Sequence, residues 1–130
     1  MRYAGRNRRA AALSRDGGLT WLDTHFDEAL IEPVCQASLV RFPKKTRGRY
    51  WLLFSNPADV KRDRMTIRVS QDDGGTWTGS RLLFEGPAAY SSLAVLTYRD
   101  IGCLYERRTS GEVITMARFT MEWLAGKVKT

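Results

Sequence analysis

Short apolar runs, rich in branched and aromatic side chains, alternate along this chain with clusters of turn-forming residues. That pattern predicts strands rather than helices. An arginine-dense start, with Arg2, Arg6, Arg8 and Arg9, reads as a loop leading into a strand over 10–13. Residues 21–33, closed by the breaker Pro33, read as a connection that carries an outer strand. A predicted hairpin pairs 37–42 with 49–54 across the basic turn 43–48. Residues 55–62 carry loop chemistry, and Met65-Thr66-Ile67-Arg68-Val69 is an alternating strand. Arg81-Leu82-Leu83-Phe84 follows as an outer strand, and Glu85-Gly86-Pro87 as a turn. Further strands are expected over 92–96, 101–105 and 113–119, before a short helical turn at Met121-Glu122-Trp123-Leu124.

Within this pattern one stretch occurs twice. Ser14-Arg15-Asp16-Gly17-Gly18-Leu19-Thr20-Trp21 returns as Ser70-Gln71-Asp72-Asp73-Gly74-Gly75-Thr76-Trp77, with Ser, Asp, Gly, Thr and Trp at the same spacing. Such an Asp box is a hairpin corner: the Ser and Asp side chains (Ser14 and Asp16, Ser70 and Asp72) bond turn amides, glycines such as Gly18 and Gly74 supply positive φ, and Trp21 and Trp77 fold back as apolar plugs. The copies start 70 − 14 = 56 residues apart. With short strands between them, that is a propeller-blade period, each blade a four-stranded antiparallel sheet. At roughly 50 residues per blade, the 130 residues form one partial propeller domain, 1–130, of two blades and part of a third. The third has no Asp box.

Composition narrows the partner. Lys and Arg number 21 against 14 Asp and Glu, a formal charge of +7, and the pI is near 9.8. Such a balance suits a nucleic acid or an anionic small substrate. A nucleic-acid groove interleaves aromatic with basic surface residues; here the aromatics fall in strands and boxes, so no nucleic-acid partner is expected. Cys35 and Cys103 sit in apolar, strand-like surroundings without ligand spacing and read as buried free thiols. His25 stands alone and reads as a surface loop residue, so no metal site is expected. No apolar run approaches the ~18 residues of a membrane span, and the start lacks a signal-peptide core.

Beyond the boxes, three motifs stand in order: Leu53-Phe54-Ser55-Asn56-Pro57 followed by Arg62, then Ala89-Tyr90-Ser91-Ser92-Leu93, then Leu104-Tyr105-Glu106. Together they resemble the C-terminal half of the catalytic domain of exo-α-sialidases (neuraminidases) of the six-bladed propeller type. In that family three arginines grip the substrate carboxylate, a Tyr assisted by a Glu attacks the anomeric carbon, an Asp is acid/base, and a second Glu orients one arginine. The resemblance implies that Tyr90 is the nucleophile and that Arg62, 90 − 62 = 28 residues earlier, is one carboxylate clamp. It implies that Glu106, 106 − 90 = 16 residues after Tyr90, braces an arginine, and that Arg9, five residues before Ser14, is a second clamp. The first arginine, the acid/base Asp and the assisting Glu are not identifiable here and are expected in N-terminal blades upstream of Met1. No cofactor is implied; the implied substrate is a sialylated glycoconjugate.

The chemistry accounts for these residue types without the family. A 2-keto sugar acid bears its carboxylate on the carbon under attack, so a carboxylate nucleophile would approach against like charge and a neutral phenol does not. Arginine suits the carboxylate because its planar fork donates two parallel, charge-assisted bonds and stays protonated. A non-catalytic Asp-box segment that binds glycan or protein would keep the boxes, but it has no need of Tyr90, Arg62 and Glu106 together.

Overall fold

In the computed structural model, which describes residues 4–108 and 112–126, the chain is all-β apart from one helical turn. The strands are β1 (Arg8–Leu13), β2 (Leu22–Ile31), β3 (Ser38–Thr46), β4 (Arg49–Pro57), β5 (Asp63–Ser70), β6 (Gly79–Val95), β7 (Asp100–Arg108) and β8 (Glu112–Thr120), followed by α1 (Met121–Leu124). All pairings are antiparallel and sequential: β1 with β2, and β3 through β8 in chain order. This is a curled succession of propeller blades. The middle blade has its four strands in β3, β4, β5 and the first half of β6, and the second half of β6 opens the next blade with β7 and β8.

Both Asp boxes form as the repeat predicts, with the same bonds in each copy. The Ser70 hydroxyl donates to Asp72 Oδ1 at 2.8 Å and accepts the Gly74 N–H at 2.8 Å, while Asp72 accepts the Thr76 N–H and hydroxyl, each at 2.8 Å. In the first copy Gly18 N–H bonds Ser14 Oγ at 2.7 Å, and Asp16 accepts the Thr20 N–H at 2.9 Å and its hydroxyl at 2.6 Å. Where the first copy has Gly17 at φ 73°, the second has Asp73 at φ 59°. A short polar side chain tolerates that left-handed well, and here its carboxylate also accepts the Tyr50 N–H at 2.9 Å.

The two tryptophans differ. Trp77 packs on Phe54, ring centroids 5.6 Å apart, and its indole N–H donates to Asp27 Oδ2 at 2.8 Å, which ties the middle blade to β2. Trp21 lies against Gly18 of its own box but is 63% exposed, so it is not the buried plug expected.

The middle blade is buried on both faces. Leu53, Met65, Ile67 and Val69 meet Leu93, Ile101, Cys103 and Tyr105 of the next blade in one continuous core. On the other side, the alternating polar positions of β5 are buried too. Arg68 donates to Asn56 Oδ1 at 2.8 Å, and Asn56 Nδ2 donates to the Ile31 carbonyl of β2 at 2.9 Å. Burying two faces requires such pairing, because an unpartnered amide or guanidinium there would lose its hydration without compensation. Burial also pushes the Arg68 guanidinium down from its ordinary value, Asp27 pulling the other way.

Four local expectations are corrected. The basic turn expected over 43–48 shrinks to Arg47-Gly48, because β3 runs on to Thr46. Glu85-Gly86-Pro87 is not a turn but the middle of the 17-residue strand β6. Ser55-Asn56-Pro57 belongs to β4, so the loop is confined to 58–62. His25 lies on β2 rather than a loop, exposed as expected.

Candidate active site

The site begins with an irregularity in β6. Ala88 pairs with Arg107 and Ser91 with Tyr105, so three steps along β6 face two along β7. This extra residue is a β-bulge, a device that re-aims a side chain out of the pleat. It falls at Ala89-Tyr90 and leaves the Tyr90 ring 41% exposed between the buried residues Ala88 and Ser91. The Tyr90 N–H, displaced from the ladder, donates instead to Glu106 Oε2 of β7 at 3.3 Å.

Arg62 arrives from the loop between β4 and β5. Its carbonyl accepts the Ala88 N–H at 2.9 Å, which fastens the loop to β6 two residues before Tyr90. Its guanidinium lies over the Tyr90 ring, 5.6 Å from Cζ to the centroid. The ring face attracts the cation, and such a stack holds a fork in place while leaving its N–H edge open. Tyr90, Arg62 and Glu106 are thus brought together on one exposed patch. A cavity of about 240 Å³, lined by Trp51, Val69, Arg81 and Leu124, lies among other elements and includes none of the three.

Arg9 meets a different geometry. Its guanidinium is turned inward, with the side chain 9% exposed: it donates to the Cys35 carbonyl at 2.8 Å and lies 3.3 Å from Glu32 Oε2. Glu32 is fully buried; its Oε2 also accepts the Cys35 N–H at 2.9 Å, and its Oε1 has no hydrogen-bond partner among the described residues. The Cys35 thiol is pushed up by burial, with Arg62 and Arg9 opposing. Cys103, deep in the core, is pushed up to about 11 by burial, so both cysteines are poor nucleophiles at neutral pH. Among the described residues no group of three or more His, Cys, Asp or Glu side chains could hold a metal ion.

Sequence reasoning passed over two residues on this side of the molecule, Glu32 and Gln36. Both sit in the connection Glu32-Pro33-Val34-Cys35-Gln36, where Pro33 drew the eye to chain punctuation. A carboxylate and an amide flanking a buried cysteine were the available signal. Gln36 bonds both main-chain polar groups of Ser91, the residue after Tyr90.

Comparison with known proteins places the fold. Residues 1–103 match the model of the BNR repeat-like domain family. The chain is 39% identical to a sialidase of Micromonospora viridifaciens over 123 residues, which covers 91% of the chain and 18% of the relative. It is 41% identical to a sialidase of Bacteroides fragilis over 105 residues, which covers 75% of the chain and 19% of the relative. Among solved structures, the Hadza microbial sialidase Hz136 superposes with a TM-score of 0.79 at 37% identity, covering 95% of this chain and 25% of that one. The chain therefore spans about a fifth of the length of these curated relatives. Twinned Asp boxes, sequential antiparallel blades and a family match over most of the length agree: the chain belongs to the BNR repeat-like domain family and is a portion of a sialidase-type propeller.

Proposed function

We propose that these blades contribute to the catalytic centre of a retaining exo-α-sialidase, a glycoside hydrolase that releases terminal sialic acid from glycoconjugates. The observation that carries this reading is the bulge that lifts Tyr90 out of β6 beneath the Arg62 guanidinium. In this scheme the Tyr90 phenol oxygen bonds to the anomeric carbon as its proton passes to a base, while the glycosidic bond breaks and the aglycone oxygen leaves with a proton from an acid. Water later cleaves the tyrosyl–sugar bond with retention. Arg62 donates its fork to the carboxylate on that same carbon, which fixes the ring for in-line attack and balances its charge. Glu106 holds the Tyr90 amide and braces an arginine of the clamp.

Arg9, buried against Glu32, serves this scheme as a brace behind the site. The first arginine, the acid/base Asp and the assisting Glu are not recognisable among these residues, so the 130-residue chain alone is expected to release no fluorescent aglycone from a sialoside above a Tyr90→Phe control. In an active propeller that contains these blades, Tyr90→Phe keeps the ring and its stack with Arg62 but deletes the attacking oxygen. Turnover should fall by orders of magnitude with the fold and analogue binding intact. Turnover by the phenylalanine variant within about twofold of wild type would replace this reading with that of a glycan- or protein-binding module.

A further inference from the structure

A bulge has a weakness: its register is held by fewer ladder bonds, and a slip of one residue carries every side chain to the other face of the sheet. Tyr90 sits on such a bulge, and on one side β6 pairs with β7. The other edge of β6 carries the outward-pointing main-chain groups of Ser91 and Leu93, and side chains from the segment before β3 and from the first residue of β3 meet them. Gln36 Oε1 accepts the Ser91 N–H at 3.0 Å, while Gln36 Nε2 donates to the Ser91 carbonyl at 3.0 Å and to the Ala37 carbonyl at 2.9 Å. Two residues on, the Ser38 hydroxyl accepts the Leu93 N–H at 2.9 Å. The amide of Gln36 thus takes the place of a neighbouring strand. Its orientation follows from its partners, since only its oxygen can accept from an N–H and only its nitrogen can donate to two carbonyls.

Ser91 is thereby held at every polar group. Besides the Gln36 bonds, its hydroxyl lies 2.8 Å from Ser55 Oγ and donates to the Ser55 carbonyl at 3.2 Å, and the residue is 4% exposed. Gln36 is itself anchored, because the carbonyl that precedes it, that of Cys35, accepts from the buried Arg9, and the Cys35 N–H is held by Glu32. A chain of bonds runs from β1 through the Glu32–Gln36 segment to Ser91. We propose that Gln36 is a positioning residue for Tyr90: its side-chain amide locks Ser91 and so fixes the register of the bulge that presents the phenol. The proposal rests on the reading of Tyr90 as nucleophile, but the lock it describes can be measured without turnover.

The experiment uses the 130-residue chain, labelled with 15N and with 13C tyrosine, and follows the Ser91 amide protection factor and the Tyr90 ring resonances by NMR. In Gln36→Ala the Ser91 protection should fall about tenfold, the scale of one lost hydrogen bond. The Tyr90 ring signals should shift, while the amides of Leu53 and Ile67 and the ring of Tyr98 stay as in wild type. Gln36→Glu supplies the rescue. Ionised at pH 7, its carboxylate is repelled by the Ser91 and Ala37 carbonyls to which the Gln36 amide nitrogen donates, so it should be driven off Ser91 and resemble the alanine variant. Below about pH 4, where a glutamate is protonated, the acid again offers one acceptor and one donor, and both signals should return toward wild type. If Gln36→Ala also loosens the Leu53 and Ile67 amides, the reversible change in Gln36→Glu decides. Ser91 protection within twofold of wild type in the variants, or a Ser91 effect that leaves the Tyr90 ring unmoved, overturns the proposal. Loss of the nucleophile reading through an active Tyr90→Phe enzyme would leave these protection factors as they are, so the two failures are distinguishable.

Discussion

The Arg62 guanidinium stacks on the Tyr90 ring with 5.6 Å between Cζ and the centroid, so the clamp and the nucleophile of the proposed reaction are one mechanical unit. Two properties of arginine are in use there, a flat cation that stacks and a fork that binds a carboxylate through two parallel bonds. Lysine retains the charge and loses both. In an active propeller containing these blades, Arg62→Lys should weaken binding of a carboxylate-bearing transition-state analogue by roughly 2–4 kcal/mol. Isothermal titration with an analogue lacking the carboxylate is the control, and equal losses on the two ligands would remove Arg62 from the clamp.

The Asp boxes should behave in the opposite way. β5 runs eight residues from Asp63, beside Arg62, to Ser70 in the second box. At ~3.3 Å per residue that separates box and site by about 25 Å. Asp72→Ala leaves the amide and hydroxyl of Thr76 and the hydroxyl of Ser70 without their acceptor. The expected cost is about 1–2 kcal/mol of stability, read as a lower melting temperature, with turnover per folded molecule near wild type. A large fall in kcat at an unaltered melting temperature would contradict a purely structural box.

Acid should spare the first box longer than an ordinary carboxylate would allow. The Thr20 side chain and amide and the Ser14 hydroxyl hold the Asp16 carboxyl down to about 2, from its ordinary 3.8. With a folded value below the unfolded one, the box's contribution is complete above pH 3.8 and is lost as pH falls through about 2. A carboxyl-carbon NMR titration of Asp16 should therefore have its midpoint near 2, and Thr20→Val, which removes the leading donor, should move the midpoint upward. A midpoint near that of a free aspartate would mean that the box does not form in solution.

How much of this was legible in the sequence depended on distance along the chain. The boxes were, because their bonds join residues two and four apart, and the residue types at that spacing leave few alternatives. Blade period and strand order followed from them. Glu85-Gly86-Pro87 misled because Gly and Pro usually punctuate, yet here Gly86 keeps no positive φ. Its missing Cβ makes room for the Phe84 ring, whose Cζ would lie 2.9 Å away. Pro87 pairs with Asp63 where β6 passes from one blade to the next, a place where a missing N–H is tolerated. Motifs single out Tyr90, Arg62 and Glu106, but their assembly around a bulge is invisible in the sequence, since bulges have no sequence period. The burial of Arg9 was out of reach altogether, because its partners at Glu32 and Cys35 lie in a connection more than twenty residues on.

That burial supports the last prediction, which separates a brace from a clamp. Arg9 and Glu32 form an ion pair 3.3 Å apart with side chains 9% and 0% exposed, and taking two charges out of water is repaid only while both remain. Arg9→Met strands a fully buried carboxylate and should cost about 3–5 kcal/mol, and Glu32→Leu, which removes the opposite charge while the Arg9 bond to the Cys35 carbonyl remains, should cost less. The double variant replaces the pair with apolar volume and should recover most of the loss, so the double-mutant cycle should show strong coupling. Urea unfolding of the four proteins measures this directly. A surface clamp waiting for substrate would give the reverse: Arg9→Met would leave stability within about 0.5 kcal/mol of wild type, and Glu32→Leu would be no better tolerated in its presence than alone.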